Sequence, residues 1–408
     1  MPSFRIPAKL CVRCKTHRRL CGLPRCPLIE RFRAVVKSVV KIKGNRVEGS
    51  TPPSFVVGEY GYPKVSIYLG IPPEIRGYEA SLYDNPKEWW GRASLLDILK
   101  LRASMIHARL RVPIPKPEYL YEKEISLAAI SEKPVDAEAK LKSLPKPRLS
   151  IKDMIPPIGP VATTNSLKIV DNPKLHRKLE QIIWDDVKAQ EALWELYNSG
   201  VSIYIIQRAL SAGLIGSKIR RRIVPTRWAI TATDTTISRY LLREVNSCNE
   251  ITESKIFFKT YLGNRFWIIM FPGPYRFDWI EIWHPVTVFT REASKPIIIY
   301  NYENWRGKAR YLDGGYQAAR LSVLEYLSSI KRKAHVIVVR EITPEYYASV
   351  GNWHIRETVR NALASGGRSF TSIDELLSII RHRSKYVAEI VHEHLDKLSK
   401  QRILDEFI

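Results

Sequence analysis

Four cysteines near the start of the chain are the residues whose types and spacing indicate chemistry most clearly. They follow the pattern Cys-x2-Cys-x6-Cys-x4-Cys, as Cys11, Cys14, Cys21 and Cys26. Four thiolates at this spacing can close a tetrahedron around zinc, and the metal would replace a core that so short a segment cannot form. Because Cys26 precedes a proline, as at the end of some iron–sulfur cysteine runs, an iron–sulfur cluster is the alternative. The spacing predicts a small metal-binding module over residues 1–33.

The chain carries a large excess of positive charge. Its 408 residues include 65 Lys and Arg against 41 Asp and Glu, a formal net charge of +24. Such a balance favours a polyanionic partner, and we rank nucleic acid first. The cysteine segment shares this bias, with nine Lys and Arg and one Glu in residues 1–33. The segment is therefore expected to contact DNA as well as to fold around its metal.

The apolar segments and the cysteines indicate the cellular compartment of the protein. Residues 1–10 lack the apolar run of a signal peptide, and no run approaches the 18 or so apolar residues of a membrane span. Four of the five cysteines are clustered, which favours a metal site in a reducing compartment over a disulfide framework. We expect a cytoplasmic protein, associated with the chromosome and without a membrane partner.

A run of arginines leads into an apolar, β-branched segment. The run is Arg220, Arg221 and Arg222, with Arg227 shortly after Pro225. The alternation over 228–234 predicts a strand that ends at Asp234, followed by a helix over 235–245. A strand that begins beside a dense cluster of positive charges suits the phosphate backbone of a nucleic acid. Residue chemistry alone favours a plainer interpretation, a basic loop before a core strand, with Asp234 capping the next helix.

Helix and strand patterns alternate along the rest of the chain. Strands are predicted over 34–40, 65–69, 255–262, 265–271, 279–283, 297–300 and 336–340. The four between residues 255 and 300 are expected to form one antiparallel sheet. Helices are predicted over 94–110, 175–196, 201–210, 316–330, 353–364 and 373–400, the last as one or two. Nine prolines within 113–160 predict an extended segment. The fold class is α+β, a small metal-binding module with a larger mixed body of helices and antiparallel sheet.

Five stretches are similar to motifs of the Nre family, archaeal proteins linked to DNA repair. They are 53–63, 211–216, 224–234, 314–320 and 350–357, for example Val-Pro-Thr-Arg-Trp-Ala-Ile-Thr-Ala-Thr-Asp over 224–234. The resemblance runs from about residue 11 to residue 408. It implies a role in DNA repair and a zinc-finger-like N-terminus, which favours zinc over iron–sulfur. It also implies a division near residue 285, into regions 34–285 and 286–395.

Four polar residues within or beside the family-like stretches raise the question of catalysis. Asp234, Glu281, His284 and Asp313 could gather around Mg²⁺ or Mn²⁺, as a metal-dependent nuclease requires. The alternative is that such charges are buried and pair with arginine for structural reasons.

Further arginines and a glycine pair suggest anion binding. With the Arg220–222 run and Arg227, we expect Arg320 and Arg356 to bind nucleic-acid phosphates. Gly314 and Gly315 open a helix, where backbone amides can approach an anion closely or the helix can pack tightly against a neighbour.

The tail, residues 396–408, resembles the peptide that tethers repair and replication proteins to the sliding clamp (PCNA). Gln401 would reach a small polar pocket of the clamp, while Leu404, Phe407 and Ile408 would fill an apolar one. Ile408 stands where that peptide has an aromatic residue. The alternative is that these side chains complete the apolar face of the preceding helix.

Together these features predict a DNA-repair protein recruited to the sliding clamp, binding DNA through basic surfaces. A metal-dependent nuclease, or another DNA-processing enzyme with the same recruitment, is one alternative. An RNA-binding protein, for which the tail is only a helix end, is the other.

Overall fold

The computed structural model describes residues 11–147 except 12, 16 and 22, then 149, 158–285, 287, 290 and 293–405, with 401–405 as backbone only. The helices are α1 (Pro27–Val40), α2 (Tyr78–Ser81), α3 (Pro86–Trp89), α4 (Leu95–Ala103), α5 (Glu118–Glu122), α6 (Ile125–Ala129), α7 (Arg177–Trp184), α8 (Ala189–Asn198), α9 (Ile203–Ser211), α10 (Thr226–Asn246), α11 (Gly314–Ser329), α12 (Trp353–Leu363), α13 (Ile373–Arg381) and α14 (Lys385–Asp405). Short 3₁₀ turns cover Leu82–Asp84 and Lys218–Arg220.

The strands are β1 (Arg46–Thr51), β2 (Phe55–Val57), β3 (Lys64–Ile71), β4 (Ile106–Pro113), β5 (Val135–Leu141), β6 (Val161–Ile169), β7 (Asn249–Glu250), β8 (Ser254–Tyr261), β9 (Asn264–Phe271), β10 (Arg276–Trp283), β11 (Ile297–Asn304), β12 (Arg332–Lys333), β13 (His335–Ile342) and β14 (Arg368–Phe370). Helices and mixed sheets confirm the α+β fold class. Within the described residues, no helix has the length and apolar composition to cross a membrane.

The first sheet has the strand order β1-β5-β6-β4-β3-β2, in which only β4 and β6 pair in parallel. On β3, Val65, Ile67 and Leu69 are buried at every second position, as a strand with one face on the core requires. This face packs in one cluster with the apolar sides of α7, α8 and α9, including Leu179 and Leu196.

The second sheet has the order β11-β10-β13-β9-β8-β14, and both of its faces are covered. Alternate residues of its strands pack against α10, α11 and α12 on one face and against α13 and α14 on the other. The four strands expected in one antiparallel sheet, β8 to β11, all belong to it, and β13 lies between β9 and β10, antiparallel to β9 and parallel to β10. Strands from both sides of residue 285 belong to this sheet.

The two sheets are joined by a cluster of aromatic and aliphatic side chains and by hydrogen bonds that cross between them. Trp90 Nε1 donates to Thr358 Oγ1 at 3.0 Å, and Tyr261 OH donates to the Trp89 carbonyl at 2.7 Å. The buried Trp89 and Trp353 rings lie 5.5 Å apart within the same cluster. These contacts fix the relative position of the two sheets and therefore the shape of the space between them.

The structure corrects the strand expected over 228–234, because these residues lie in helix α10. Its buried residues, including Ala229, Thr233, Ile237 and Leu241, recur every three or four positions and face neighbouring helices. The small Ala and Thr side chains of this segment also alternate, which is what a strand pattern shows. Asp234 therefore lies in the middle of a helix rather than at a strand end.

Three other expectations about secondary structure are also wrong in part. Residues 34–40 belong to α1, which begins with Pro27 at its first position and buries Leu28, Ala34 and Val35 on one side. The helix expected over 94–110 ends at Ala103, and β4 begins at Ile106. The proline-rich segment 113–160 contains α5, α6 and β5, so much of it is part of the folded body.

Candidate nucleic-acid interface

A cleft with a volume of about 650 Å³ opens between the two sheets. Its walls come from residues far apart in the chain: 53–59 before and within β2, Asp84, Arg102 and His107 around α4 and β4, 204–208 of α9, 226–230 of α10, and 349–356 before and within α12. Cavities of this size hold a small organic molecule or a single nucleotide unit.

Hydrogen bonds between distant segments hold the cleft in shape. Asp84 accepts from Ser54 Oγ at 2.8 Å and from Arg102 Nη2 at 3.1 Å. The same guanidinium donates through Nη1 to the Val350 carbonyl at 2.8 Å, which ties α4 to the loop before α12. Arg102 therefore supports the cleft wall with hydrogen bonds to two segments.

A buried ion pair forms the floor of the cleft. Asp234 Oδ2 accepts from Arg356 Nη2, and Asp234 Oδ1 accepts from Gln207 Nε2 at 2.9 Å. Asp234 is 0% exposed and Arg356 is 1% exposed. Burial raises the pKa of Asp234, while the Arg356 guanidinium opposes that shift. The pair joins α10 to α12, and Arg356 Nε is buried without a hydrogen-bond partner among the described residues.

His107 and Arg208 add polar groups whose charged forms are disfavoured by burial. Removal from water lowers the pKa of His107 to about 4, so its imidazole is neutral at physiological pH. Its Nδ1 atom is buried and has no hydrogen-bond partner in the described part of the chain. Burial lowers the pKa of Arg208 to about 10, and Arg208 Nε donates to the Ala129 carbonyl at 2.6 Å. The walls thus combine apolar side chains with a few fixed polar groups.

The rim of the cleft is basic and aromatic. The side chain of Arg227 is 81% exposed, and its Nη1 lies 3.9 Å from Glu59 Oε2. Trp228 follows Arg227 in the first turn of α10, while Tyr60 and Tyr62 follow Glu59 in the loop after β2. Tyr60 is 86% exposed, Trp228 54% and Tyr62 53%, so large aromatic surfaces face the solvent here.

Each of the four candidate catalytic residues has hydrogen-bond or ion-pair partners within the protein. Glu281 accepts from Arg340 Nη1 at 2.7 Å and from Trp283 Nε1 at 3.1 Å. His284 Nε2 lies 2.9 Å from Glu341 Oε1, and Asp313 caps α11 by accepting from the Tyr316 amide at 2.9 Å.

Glu281 and Asp313 approach each other beside Gly315. Burial raises the pKa of Glu281, and repulsion from the Asp313 carboxylate acts in the same direction. Asp234 lies apart, in the floor of the cleft. In the described part of the chain, no group of three or more His, Cys, Asp and Glu residues is arranged to hold a metal. These four side chains therefore do not assemble the metal centre of a nuclease there.

The arginines expected to bind nucleic acid divide into buried and exposed ones. Arg320 forms a buried ion pair with Glu303, as Arg356 does with Asp234, so neither faces the solvent. Arg221 donates to the carbonyls of Gly216, Ile183 and Asp185 and thereby satisfies the end of α7. The exposed members of the set are Arg220, Arg222 and Arg227.

The glycine pair at the start of α11 serves close packing. A Cβ on Gly314 would lie 2.3 Å from Asn352 Nδ2, and one on Gly315 would lie 3.2 Å from Ile355 Cδ1. Side chains from the start of α12 therefore occupy the space that an anion would need. Of the two interpretations of this pair, the geometry supports tight packing.

The cysteines and the tail lie at the edges of the described structure. Cys14 is buried, and Cys11 and Cys26 pack against the cluster that contains Trp89. Residues 12, 16 and 22 lie outside the described residues, as do residues 1–10 of the expected module. At the other end the backbone of 401–405 continues α14, whereas the side chains of Gln401 and Leu404, and residues Phe407 and Ile408 altogether, are outside the described part.

Comparison with known proteins places this architecture in a family. The model of the family described as "Archaeal Nre, N-terminal" matches residues 20–290, and that of "Archaeal Nre, C-terminal" matches residues 302–407. The chain belongs to the Nre family. No solved structure matches it.

Characterised relatives of this Nre chain carry names from DNA repair. It is 37% identical over 377 residues to the DNA repair protein NreA of Archaeoglobus fulgidus, covering 91% of this chain and 93% of that protein. It is 34% identical over 406 residues to DNA repair protein NreB of the same organism, covering 98% and 100%. The DNA repair protein NreA of Haloferax volcanii is 30% identical over 332 residues, covering 79% of each chain.

Three of the five stretches that resemble Nre motifs line the same cleft, and the other two contact segments that line it. Stretches 53–63, 224–234 and 350–357 line it. Stretch 211–216 supports the start of α10, because Ser211 Oγ donates to the Val224 carbonyl at 2.8 Å. Stretch 314–320 packs on Asn352 through its first glycine. Sequence reasoning found these stretches one at a time and missed Asp84, Arg102 and His107, whose types and spacing carry no motif.

Proposed function

We propose that this Nre-family chain is a DNA-repair protein that binds DNA at the cleft between its two sheets. The observation that carries the proposal is the convergence of three of the five Nre-like stretches on this cleft, whose rim carries the exposed Arg227. The names of the relatives supply the biological process, and the net charge of +24 supplies attraction to a polyanion.

The proposal predicts salt-dependent DNA binding that weakens when the rim loses its charge. In fluorescence anisotropy, the logarithm of affinity should fall linearly with the logarithm of salt, with a slope of about −0.9 for each phosphate neutralised. Arg227→Glu should weaken binding and flatten this slope, because Arg227 is exposed at the rim. Arg381→Glu on α13, an equally simple charge reversal on the opposite face of the second sheet, is the matched control. Equal effects of both substitutions, or no binding to any DNA, would contradict the proposal.

Recruitment to the sliding clamp is the second part of the proposed function. Helix α14 continues without a break to Asp405, so the peptide would project from a helix anchored on the second sheet by Val387 and Val391. Such an anchor would hold the protein on the chromosome at sites of DNA synthesis or repair. In titration calorimetry with an archaeal clamp, Leu404→Ala with Phe407→Ala should abolish binding. Glu389→Ala, on an exposed site of the same helix, should leave it unchanged; unchanged binding by the double variant would refute the assignment.

Zinc at the cysteine segment is the third part, and it is supported by the cysteine spacing and by the family. Among the described residues no three of these thiols are gathered, so the cysteine spacing carries this proposal. Metal analysis of the purified protein should find one zinc ion per chain, lost in Cys11→Ser with Cys14→Ser and kept in the control Cys248→Ser. Iron in place of zinc, or zinc retained by the double variant, would overturn it.

A further inference from the structure

The aromatic rim of the cleft is not accounted for by folding. Tyr60 and Trp228 are among the most exposed large aromatic side chains of the described residues, and both lie in stretches that line or flank the cleft. Exposing so much apolar surface forgoes the gain from burial. Such a surface on a soluble protein commonly marks a binding site.

Specific contacts bring together the two segments that carry these rings, beside the cleft. The Val57 amide donates to Thr226 Oγ1 at 2.8 Å, and Glu59 lies 3.9 Å from Arg227. The loop after β2 and the first turn of α10 are therefore side by side. Tyr60 directly follows Glu59, and Trp228 directly follows Arg227.

The loop that carries Tyr60 is also held from behind. Arg111 Nη2 donates to the carbonyls of Gly61 and Lys64 at 3.0 and 2.9 Å. Gly61 has a φ of +99°, and a Cβ there would lie 2.8 Å from Arg111 Nη2. Glycine is required at this position, and the loop is positioned before any ligand arrives.

This arrangement matches the chemistry of unpaired nucleotides. The faces of bases in a duplex are covered by their neighbours, whereas those of a single strand are free to stack on exposed aromatic rings. The exposed Arg227 beside them can neutralise a phosphate. The cleft, with a volume of about 650 Å³, is large enough for one nucleotide.

We infer that the cleft and its rim bind unpaired DNA, with bases stacked on Tyr60 and Trp228 and one nucleotide of the strand inside the cleft. The inference rests on the DNA binding proposed above and specifies its substrate as a single-stranded end, gap or flap. Discrimination then comes from stacking at the rim, and general attraction comes from the basic surface.

Anisotropy with the full-length protein tests this inference. The probes are fluorescein-labelled oligothymidine, a duplex of the same length, a duplex with a single-stranded overhang, and oligouridine. Oligothymidine and the overhang should bind more tightly than the duplex. Loss of two stacking contacts in Tyr60→Ala with Trp228→Ala should weaken oligothymidine binding by about 30-fold or more. Tyr60→Phe with Trp228→Phe keeps both rings and should retain most of the affinity.

The matched control replaces two tryptophans of similar exposure outside the cleft, Trp184→Ala with Trp305→Ala, which are 62% and 54% exposed. This variant should bind as the wild type does. DNA binding without preference for unpaired strands, or an equal loss in both alanine pairs, would overturn the inference while leaving the proposed DNA binding intact. No binding to any DNA would refute the proposed function itself. Equal or tighter binding of oligouridine would transfer the site to RNA and overturn the assignment to DNA.

Discussion

Replacing Asp234 by asparagine removes one negative charge from the floor of the cleft and hardly changes the size of the side chain. In the wild type this carboxylate accepts hydrogen bonds from Arg356 and Gln207, and both members of the ion pair are excluded from water. The variant would leave the Arg356 guanidinium buried without its carboxylate partner. Breaking a buried pair in this way costs about 3–5 kcal/mol, and we expect Asp234→Asn to lower the free energy of unfolding by that amount.

Chemical denaturation followed by tryptophan fluorescence measures this loss. A second substitution, Arg356→Met, removes the stranded charge and fills a similar volume, so the double variant should recover most of the stability. Asp396→Asn changes an exposed carboxylate on α14 and should stay within about 0.5 kcal/mol of the wild type. A loss below about 1 kcal/mol for Asp234→Asn, or a double variant no more stable than the single one, would refute the explanation by an uncompensated charge.

Two further predictions concern stability. Gly200 and Gly213 each follow a helix, and both have a positive φ. A Cβ added at Gly200 would meet nothing within 4 Å. A Cβ added at Gly213 would lie 2.7 Å from Pro117 Cβ and 2.9 Å from the Arg222 carbonyl oxygen. Gly200→Ala should cost about 1–2 kcal/mol in denaturant unfolding and Gly213→Ala at least about 1 kcal/mol more; equal losses would contradict the crowding. The unfolded chain protonates His107 below pH 6.5, and the folded chain only near pH 4. As the pH falls from 6.5 to 4, His107 should therefore lower the free energy of unfolding by about 3 kcal/mol. The free energy of unfolding should depend less on pH in His107→Gln than in the wild type.

Segments with strong local signals were predictable from the sequence. The β8–β9 hairpin is confirmed. Strands over 255–262 and 265–271 place its turn at residues 263–264, whereas the turn residues with positive φ are Leu262 and Gly263, one position earlier. Helix α12 is also confirmed, because its apolar side is broad and continuous. Helix α10 was not predictable in the same way. After Arg227 and Trp228, its first turns consist mainly of small and β-branched residues. Their helical period becomes evident only from the helices packed around them.

The grouping of the site residues could not be derived from the sequence. The contacts that build the cleft join positions far apart, as between Val57 and Thr226 or Arg102 and Val350. Resemblance to a family located the stretches, but not their convergence. His107 illustrates the limit, because a single histidine at the start of a strand gives no indication that burial will leave its ring nitrogen without a partner.

The charged residues of the family-like stretches mostly act inside the protein. Arg320 pairs with Glu303 and Arg356 with Asp234, and each buried pair has no net charge. The excess of +24 is therefore carried by other, largely exposed side chains, which attract any polyanion from a distance. Preference among DNA structures must then come from short-range contacts at the cleft, where Tyr60 and Trp228 are exposed. General attraction and structural preference should therefore separate experimentally. Loss of surface charge should weaken binding to every DNA alike and reduce the salt dependence of binding. Loss of the rim aromatics should change the ratio of single-strand to duplex affinity without changing the salt dependence.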